Sequence, residues 1–246
     1  VYGLVIPGAG ISVMLGLVLL GKDLGTTALL ATLSTAMLFA AGTRLRHLLP
    51  AGLAVAAGLV FYLATDEVRR NRVVAFLNPE KFETIAYQTE QSKVAIGSGG
   101  AVGRGLGNGL HKSGFVPDQH TDFIFSVIGE ELGLRITLPI VLAYLALYVA
   151  SLRIARRAPD TFGAMIAFGA GTLIALQAAI NLAVTTGSIP NKGLALPFVS
   201  YGGSCLLTML TLVGLLINVA IRSAREESAE YLPESEDREA PSLQNA

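Results

Sequence analysis

Six stretches without a single Asp, Glu, Lys or Arg dominate this sequence: residues 1–21, 24–43, 48–65, 136–152, 161–191 and 193–221. A bilayer core of about 30 Å takes ~20 helical residues, with a range of ~17–25. The first four runs fit that span, and the fourth is expected to extend back through the apolar residues 123–129. The last two are longer than a membrane requires, so part of each must be loop or broken helix. All six are rich in Leu, Ala, Val and Gly and lack the polar alternation of barrel strands. The sequence therefore predicts an all-α polytopic membrane protein, a bundle of six transmembrane helices with a large extracytoplasmic loop.

Composition removes the competing classes. Charged residues are 15% of the chain, too few to cover a soluble globule of 246 residues. The 18 basic and 18 acidic side chains cancel, which leaves no basic footprint for nucleic acid. One cysteine, Cys205, cannot form an intrachain disulfide, and no zinc-type spacing is present.

Basic residues set the orientation. Arg44 and Arg46, then Arg153, Arg156 and Arg157, then Arg222 and Arg225 follow alternate spans. By the positive-inside rule these ends are cytoplasmic, and the loop over residues 66–122 and the segment around Lys192 face outward. We expect a membrane domain over 1–223 and a disordered cytoplasmic tail over 224–246, which is acidic and aperiodic. Val1 falls almost inside the first span without an initiator Met, so the chain reads as the C-terminal portion of a longer protein.

The outer loop exceeds the ~12–15 residues of an idle connector. Residues 83–96 place Ile85, Gln88, Ser92 and Ile96 at helical spacing, predicting a short amphipathic helix at the interface. A glycine-dense run over 97–109 follows; without a preceding strand or a GK[ST] it predicts a compact turn region rather than a phosphate cradle. Pro117 then ends any helix before it, and Asp118 or Thr121 can cap the next. Asp122 is expected in the first turn of that helix, favoured there by the helix dipole, and Asp122, Ser126 and Glu130 share one face.

Each polar residue has a bland and a functional reading. Asp122 is either a cap or a cavity carboxylate, since ionisable groups within a span face water or a partner. Glu131 can simply pair with Arg135 at i, i+4. His120 is a hydrogen-bonded interface residue or a base. Gln177 and Asn181 share a helix face and either line a cavity or bond between helices. The prolines and glycines of 190–204 cannot sustain a lipid-facing helix, so 191–204 is expected to be a non-helical outer segment lining a cavity.

Five blocks carry a family resemblance: DLGTT at 23–27, Tyr87-Gln88 with Gln91-Ser92, AIGSGGAVGRGLG at 95–107, PDQHTDFIFSVIGEELG at 117–133 and PFVSYGGS at 197–204. In this order they resemble the SEDS family of bacterial cell-wall proteins, the group of FtsW, RodA and SpoVE. PDQHTDFIF leans to the RodA type and PNKGLALPF to the FtsW type, with the balance slightly toward FtsW. The match runs from about residue 1 to 222 and corresponds to the last six of the family's ten spans.

The resemblance implies a peptidoglycan glycosyltransferase that polymerises lipid II on the outer face of the bacterial cytoplasmic membrane, in division or elongation. It implies a class B penicillin-binding protein as partner, with other divisome or elongasome proteins. The carboxylate of its HTD motif, here Asp122, is the implied catalytic residue. His120, Glu130, Gln88, Gln91, Ser92, Asn181, Lys192 and Ser200 are candidates for substrate or cavity contacts. A positioned Asp suits the removal of a proton from an attacking sugar hydroxyl. A diphosphate leaving group needs cations, from Lys93, Arg104, Lys112 or Lys192, or from a divalent ion such as Mg²⁺. No tightly bound cofactor is expected and metal ligands are unknown. A lipid II flippase and a membrane scaffold for a transpeptidase are the alternatives.

Overall fold

The computed structural model describes residues 2–109 and 121–231. In chain order these form α1 (Tyr2–Leu20), α2 (Leu24–Ala40), α3 (Leu45–Thr65), α4 (Glu67–Leu77), a 3₁₀ turn (Pro79–Lys81), α5 (Glu83–Gly99), α6 (Ile124–Leu132), α7 (Leu134–Arg157), α8 (Thr161–Thr185) and α9 (Gly203–Tyr231). No strand occurs among the described residues. Four helices, α3, α7, α8 and α9, are long and apolar enough to cross a membrane. The shorter α1 and α2 are apolar throughout. At 1.5 Å per residue, the 17 residues of α2 reach about 26 Å, close to the hydrocarbon thickness. This is a multi-pass membrane protein.

The central element is α8. Of its most apolar stretch 44% is buried, against 6% for α3 and α7. Gly163, Ala167, Gly169, Ala170 and Gly171 give it a small-residue surface on which neighbours approach closely. Packing rather than hydrophobicity drives helix association in lipid, so small side chains belong there. One apolar cluster, Ala167 and Ala170 with Leu216 and Val219, joins α8 to α9. Beside it, Arg222 in the C-terminal half of α9 pairs with Asp160 at the start of α8, 3.3 Å apart. This contact puts the α7–α8 turn and the Arg222 turn of α9 at one end of the bundle, as the arginine pattern predicts. The Lys22 corner, α4, α5 and residues 186–202 meet at the other.

Three expectations need correcting. The fourth span does not run back unbroken: Gly133, with φ 67°, separates α6 from α7. Asp122 lies ahead of α6 rather than in its first turn; Phe123 is the N-cap and makes no side-chain capping bond. Asp118 and the other residues of 110–120 lie outside the described residues. The last helix continues past residue 223 to Tyr231, because Ala, Arg and Glu extend a formed helix cheaply even where nothing packs on it. Residues 232–246 of the expected tail are outside the described residues.

The described part of the long outer loop is mostly helical. Asp66 caps α4, accepting from the Arg69 amide at 3.1 Å. The predicted amphipathic helix forms as α5, but it docks on the bundle instead of lying only at the interface. Its buried face is made of small residues: Ala95 and Ser92 are fully buried, and the Ser92 hydroxyl donates to the Thr185 carbonyl of α8 at 2.7 Å. A β-carbon on Gly99 would lie 1.9 Å from the Gly129 carbonyl oxygen, so α5 and α6 touch backbone to backbone there.

Candidate active site at the outer mouth

Two irregular segments build the site, and each is tied down by groups whose chemistry the sequence supplies. The first is the glycine-rich turn after α5. Breaking a helix at Gly133 would strand its carbonyls below and its amides above. The turn supplies both partners. Arg104 and Gly105 amides donate to the carbonyls of Glu130 and Glu131 at 3.0 and 2.9 Å. Leu134 and Arg135 amides donate to the carbonyls of Gly100 and Ala101 at 2.9 and 3.2 Å. Close approach demands glycine: a β-carbon on Gly103 would sit 2.3 Å from the Glu131 oxygen, and one on Gly133 2.4 Å from the Gly103 nitrogen.

The turn does cradle an anion, but an internal one. The Glu131 carboxylate accepts from the Gly107 amide at 2.9 Å and the Gly109 amide at 3.3 Å. Glu130, fully buried, faces Arg104 at 3.6 Å. The expected Glu131–Arg135 pair is not formed; the Arg135 Nε donates instead to the Leu132 carbonyl at 3.3 Å. A burial-driven requirement for hydrogen bonds outweighs a surface-type i, i+4 pair. Glu130 is therefore part of the scaffold behind the site rather than a cavity-lining carboxylate.

The second segment, residues 186–202, leaves α8 and re-enters the bundle before α9. The expected non-helical stretch over 191–204 is found, although α9 already begins at Gly203. Leu194, Leu196 and Pro197 are buried. Their carbonyls and that of Ala195 need donors that no helix provides. Asn181 donates to the Leu194 carbonyl at 2.7 Å, Gln177 to Ala195 at 2.9 Å and the Tyr144 hydroxyl to Pro197. Phe198 holds φ at 65°, a left-handed conformation unusual for a phenylalanine. The amides of α8 thus serve loop backbone, and Gln177 also reaches the neighbouring helix by donating to Cys205 Sγ of α9 at 3.6 Å.

Asp122 is gripped between these parts. Its carbonyl accepts from Asn181 Nδ2 at 2.8 Å, while Ser200 Oγ donates to the carbonyl of Thr121 and accepts from the Leu196 amide at 2.7 Å. The Asn181 Oδ1, buried without a hydrogen-bond partner, leaves the amide one sensible orientation, with both donors toward carbonyls. Beneath, Phe123 is fully buried against Val184, Ile180 and Ile189. The half-buried Asp122 carboxylate points its Oδ2 at Gly193, 3.2 Å from where a β-carbon would be. The DLGTT block lies under the same loop. Asp23 caps α2 through the Thr26 amide at 2.9 Å, and a β-carbon on Gly25 would be 2.8 Å from the Lys192 carbonyl.

The candidate residues separate accordingly. Asn181 holds Asp122 by its carbonyl, and Ser200 holds the carbonyl of Thr121 just before it. Gln88 accepts from Asn191 at 3.0 Å and lines an outer cleft, and Ser92 is a buried anchor. Gln91 is half-buried on α5 and takes no side-chain hydrogen bond among the described residues. Lys192 is exposed beside a second cleft. His120 and Lys112 lie outside the described residues. Among the other cations, Lys93 pairs with Glu90 at 2.7 Å and Arg104 with Glu130. Sequence reasoning missed Tyr144 as a clamp and Arg72, which lines both clefts. The signal for Arg72 was the run Arg69-Arg70-Asn71-Arg72 on the side that the positive-inside rule should leave poor in arginine. No group of three His, Cys, Asp or Glu among the described residues could hold a metal ion.

Comparison with known proteins matches this architecture. A chain in the structure described as "Structural coordination of polymerization and crosslinking by a peptidoglycan synthase complex" superposes with a TM-score of 0.72 at 26% identity, covering 91% of this chain and 63% of that one. The "Probable peptidoglycan glycosyltransferase FtsW" of Trichlorobacter lovleyi is 47% identical over 209 residues, 85% of this chain and 55% of the relative. "Stage V sporulation protein E" of Bacillus subtilis is 39% identical, over 87% of this chain and 59% of the relative. The chain therefore spans a little over half the length of the curated relatives it matches. The family model FTSW_RODA_SPOVE, described as "Cell cycle protein", matches residues 2–225, and the chain belongs to this family, the SEDS proteins.

Proposed function

We propose that this chain forms the catalytic half of a peptidoglycan glycosyltransferase that polymerises lipid II at the outer face of the bacterial cytoplasmic membrane. Asp122 is its general base. The observation that carries this reading is the grip on Asp122: Asn181 binds its carbonyl, Ser200 binds the carbonyl of Thr121 before it, Phe123 after it is buried, and glycine at 193 leaves its carboxylate room. A residue needed only as a helix cap would bond to α6, and Phe123 occupies that position instead. The base takes the proton from an acceptor sugar hydroxyl as that oxygen attacks the anomeric carbon of a diphosphate-linked donor. The relatives named glycosyltransferase support the activity, and the neighbour from a peptidoglycan synthase complex that couples polymerization to crosslinking supports a crosslinking partner, which the family resemblance identifies as a class B penicillin-binding protein.

Asp122→Asn in the full-length protein, bound to its transpeptidase, tests the proposal. Loss of a positioned base costs ~10²–10⁴ in rate. Folding and complex formation should persist, because Asn is nearly isosteric and the grip on Asp122 is through its backbone carbonyl. A flippase or scaffold would tolerate the change. Polymer formation from purified lipid II at the wild-type rate would refute the catalytic role.

A further inference from the structure

Resting on the polymerase reading, we propose that the cleft between the α1–α2 corner, α4 and the re-entrant segment binds the diphosphate of a polyprenyl diphosphate lipid, through Lys22, Arg72 and Lys192. The cleft holds about 570 Å³ and is lined by four basic side chains, Lys22, Arg69, Arg72 and Lys192, against two acidic ones, Asp23 and Asp66. Both carboxylates are occupied. Asp23 caps α2 and accepts from the Thr26 hydroxyl at 2.6 Å; Asp66 is bound by Arg69 at 2.7 Å. Arg69 is occupied as well, lying over the Tyr62 ring and donating to the Lys22 carbonyl. That leaves Lys22, Arg72 and Lys192 in one cleft without an acidic partner among the described residues, arriving from three separate elements.

Two features indicate a built site. Lys22 has φ 61°, a conformation rare for a side-chain-bearing residue, and the Arg69 bond to its carbonyl fixes it there. Asn191 lines this cleft and the adjoining one of about 460 Å³, and is itself fixed by Gln88. The adjoining cleft adds Lys93, but its charge is spent on Glu90. Of the cations that sequence alone puts forward, this leaves Lys192 among the described residues, joined by two that it does not.

Position argues for a leaving-group site. Lys192, which lines the cleft, directly precedes Gly193, against which the Asp122 carboxylate rests, so cleft and base meet on neighbouring residues of the re-entrant segment. In the transfer, the acceptor oxygen bonds to the anomeric carbon and its proton passes to Asp122. The bond from that carbon to the diphosphate oxygen breaks, and the electron pair stays on the diphosphate. The diphosphate gains one negative charge, and cations already in place stabilise it as it develops. Two phosphates spread over the reach of three cations also separate a diphosphate from a monophosphate.

The test uses the full-length protein with its transpeptidase, and equilibrium binding of farnesyl diphosphate, farnesyl monophosphate and inorganic pyrophosphate. The unmodified protein should bind farnesyl diphosphate most tightly of the three. Arg72→Gln and Lys192→Gln together should weaken it by tenfold or more, roughly, as expected when charged donors to an anion are removed. Lys192→Arg should restore binding over Lys192→Gln, and Arg70→Gln, exposed on α4 outside the cleft, should change nothing. Lys22→Gln provides the same test from another element should the double variant be recovered poorly. Unchanged affinity in these variants, or equal affinity for the monophosphate, overturns the proposal. Equal binding of pyrophosphate would make the cleft a site for free anions and overturn the lipid assignment. Binding needs no turnover, so these results stand apart from the fate of Asp122→Asn.

Discussion

Asn181→Leu separates positioning of Asp122 from its chemistry. The Asn181 amide donates to two backbone carbonyls, Asp122 at 2.8 Å and Leu194 at 2.7 Å, and is 1% exposed. Leucine keeps the volume and removes both donors. Each buried carbonyl left unsatisfied costs ~1–3 kcal/mol, but the substitution also removes the unpartnered Oδ1, which recovers a similar amount once. Membrane hydrogen bonds measure at the low end, averaging ~0.6 kcal/mol. The net loss of stability is therefore about 1–3 kcal/mol, visible as a lowered melting temperature in detergent but not as failure to fold. Activity should suffer more. Without the tie, the turn carrying Asp122 and the loop carrying Gly193 can separate, and a displacement of ~1 Å at a reacting group can cost ~10²-fold. The assay is polymerisation of purified lipid II by the full-length complex, normalised to folded protein. Expected is a fall in kcat of roughly that size with KM little changed, since the cations of the outer cleft are untouched. A wild-type kcat, or a loss confined to KM, would refute the positioning role.

Other outcomes can be read more directly. Gly99→Ala drives a methyl group into the Gly129 carbonyl, so it should destabilise the protein by roughly 1–3 kcal/mol and loosen α5 from α6, seen as faster hydrogen exchange in both. Glu131→Gln replaces one acceptor of the Gly107 and Gly109 amides with a donor; about 1–3 kcal/mol of stability should be lost, measured by thermal denaturation in detergent. In a Cys205→Ala background, Val102→Cys should label from outside the cell and Arg156→Cys from inside, as the arginine distribution requires. Reversed labelling would overturn the topology.

The architecture was legible because a membrane leaves few options: charge-free runs of the right length can hardly be anything but helices. Even the irregular stretch before α9 announced itself through Pro190, Pro197 and the Gly202-Gly203 pair. What stayed hidden were contacts between residues distant in sequence. Glu131 and Arg135 have ideal spacing for a pair, and only the fold reveals that Gly107 and Gly109, over twenty positions upstream, reach the carboxylate first. The amide pair Gln177 and Asn181 could be placed on one face of α8, yet apart from Cys205 Sγ their partners are carbonyls, which no side-chain pattern records. Asp122 stands out by its motif but its setting does not, because a residue that precedes a helix and one that opens it look alike in sequence. Arg72 was overlooked for a different reason: a charge balance taken over the whole outer loop averages away a local excess.

The glycines fall into two kinds, with different consequences for genetics. At Gly99, Gly103 and Gly133 the atoms that a β-carbon would strike are backbone atoms, of Gly129, Glu131 and Gly103. No substitution elsewhere can remove a main-chain oxygen, so loss-of-function alleles at these positions should revert only at the same codon. At Gly171 the obstacle is the Ser151 hydroxyl, 1.7 Å away, and at Gly169 it is the end of the Met37 side chain, 3.0 Å away. Those obstacles can be trimmed by a second mutation, Ser151→Gly in the first case and a shorter residue at 37 in the second. A suppressor screen would thus sort the close contacts of this bundle into those the chain can renegotiate and those on which its history has become fixed.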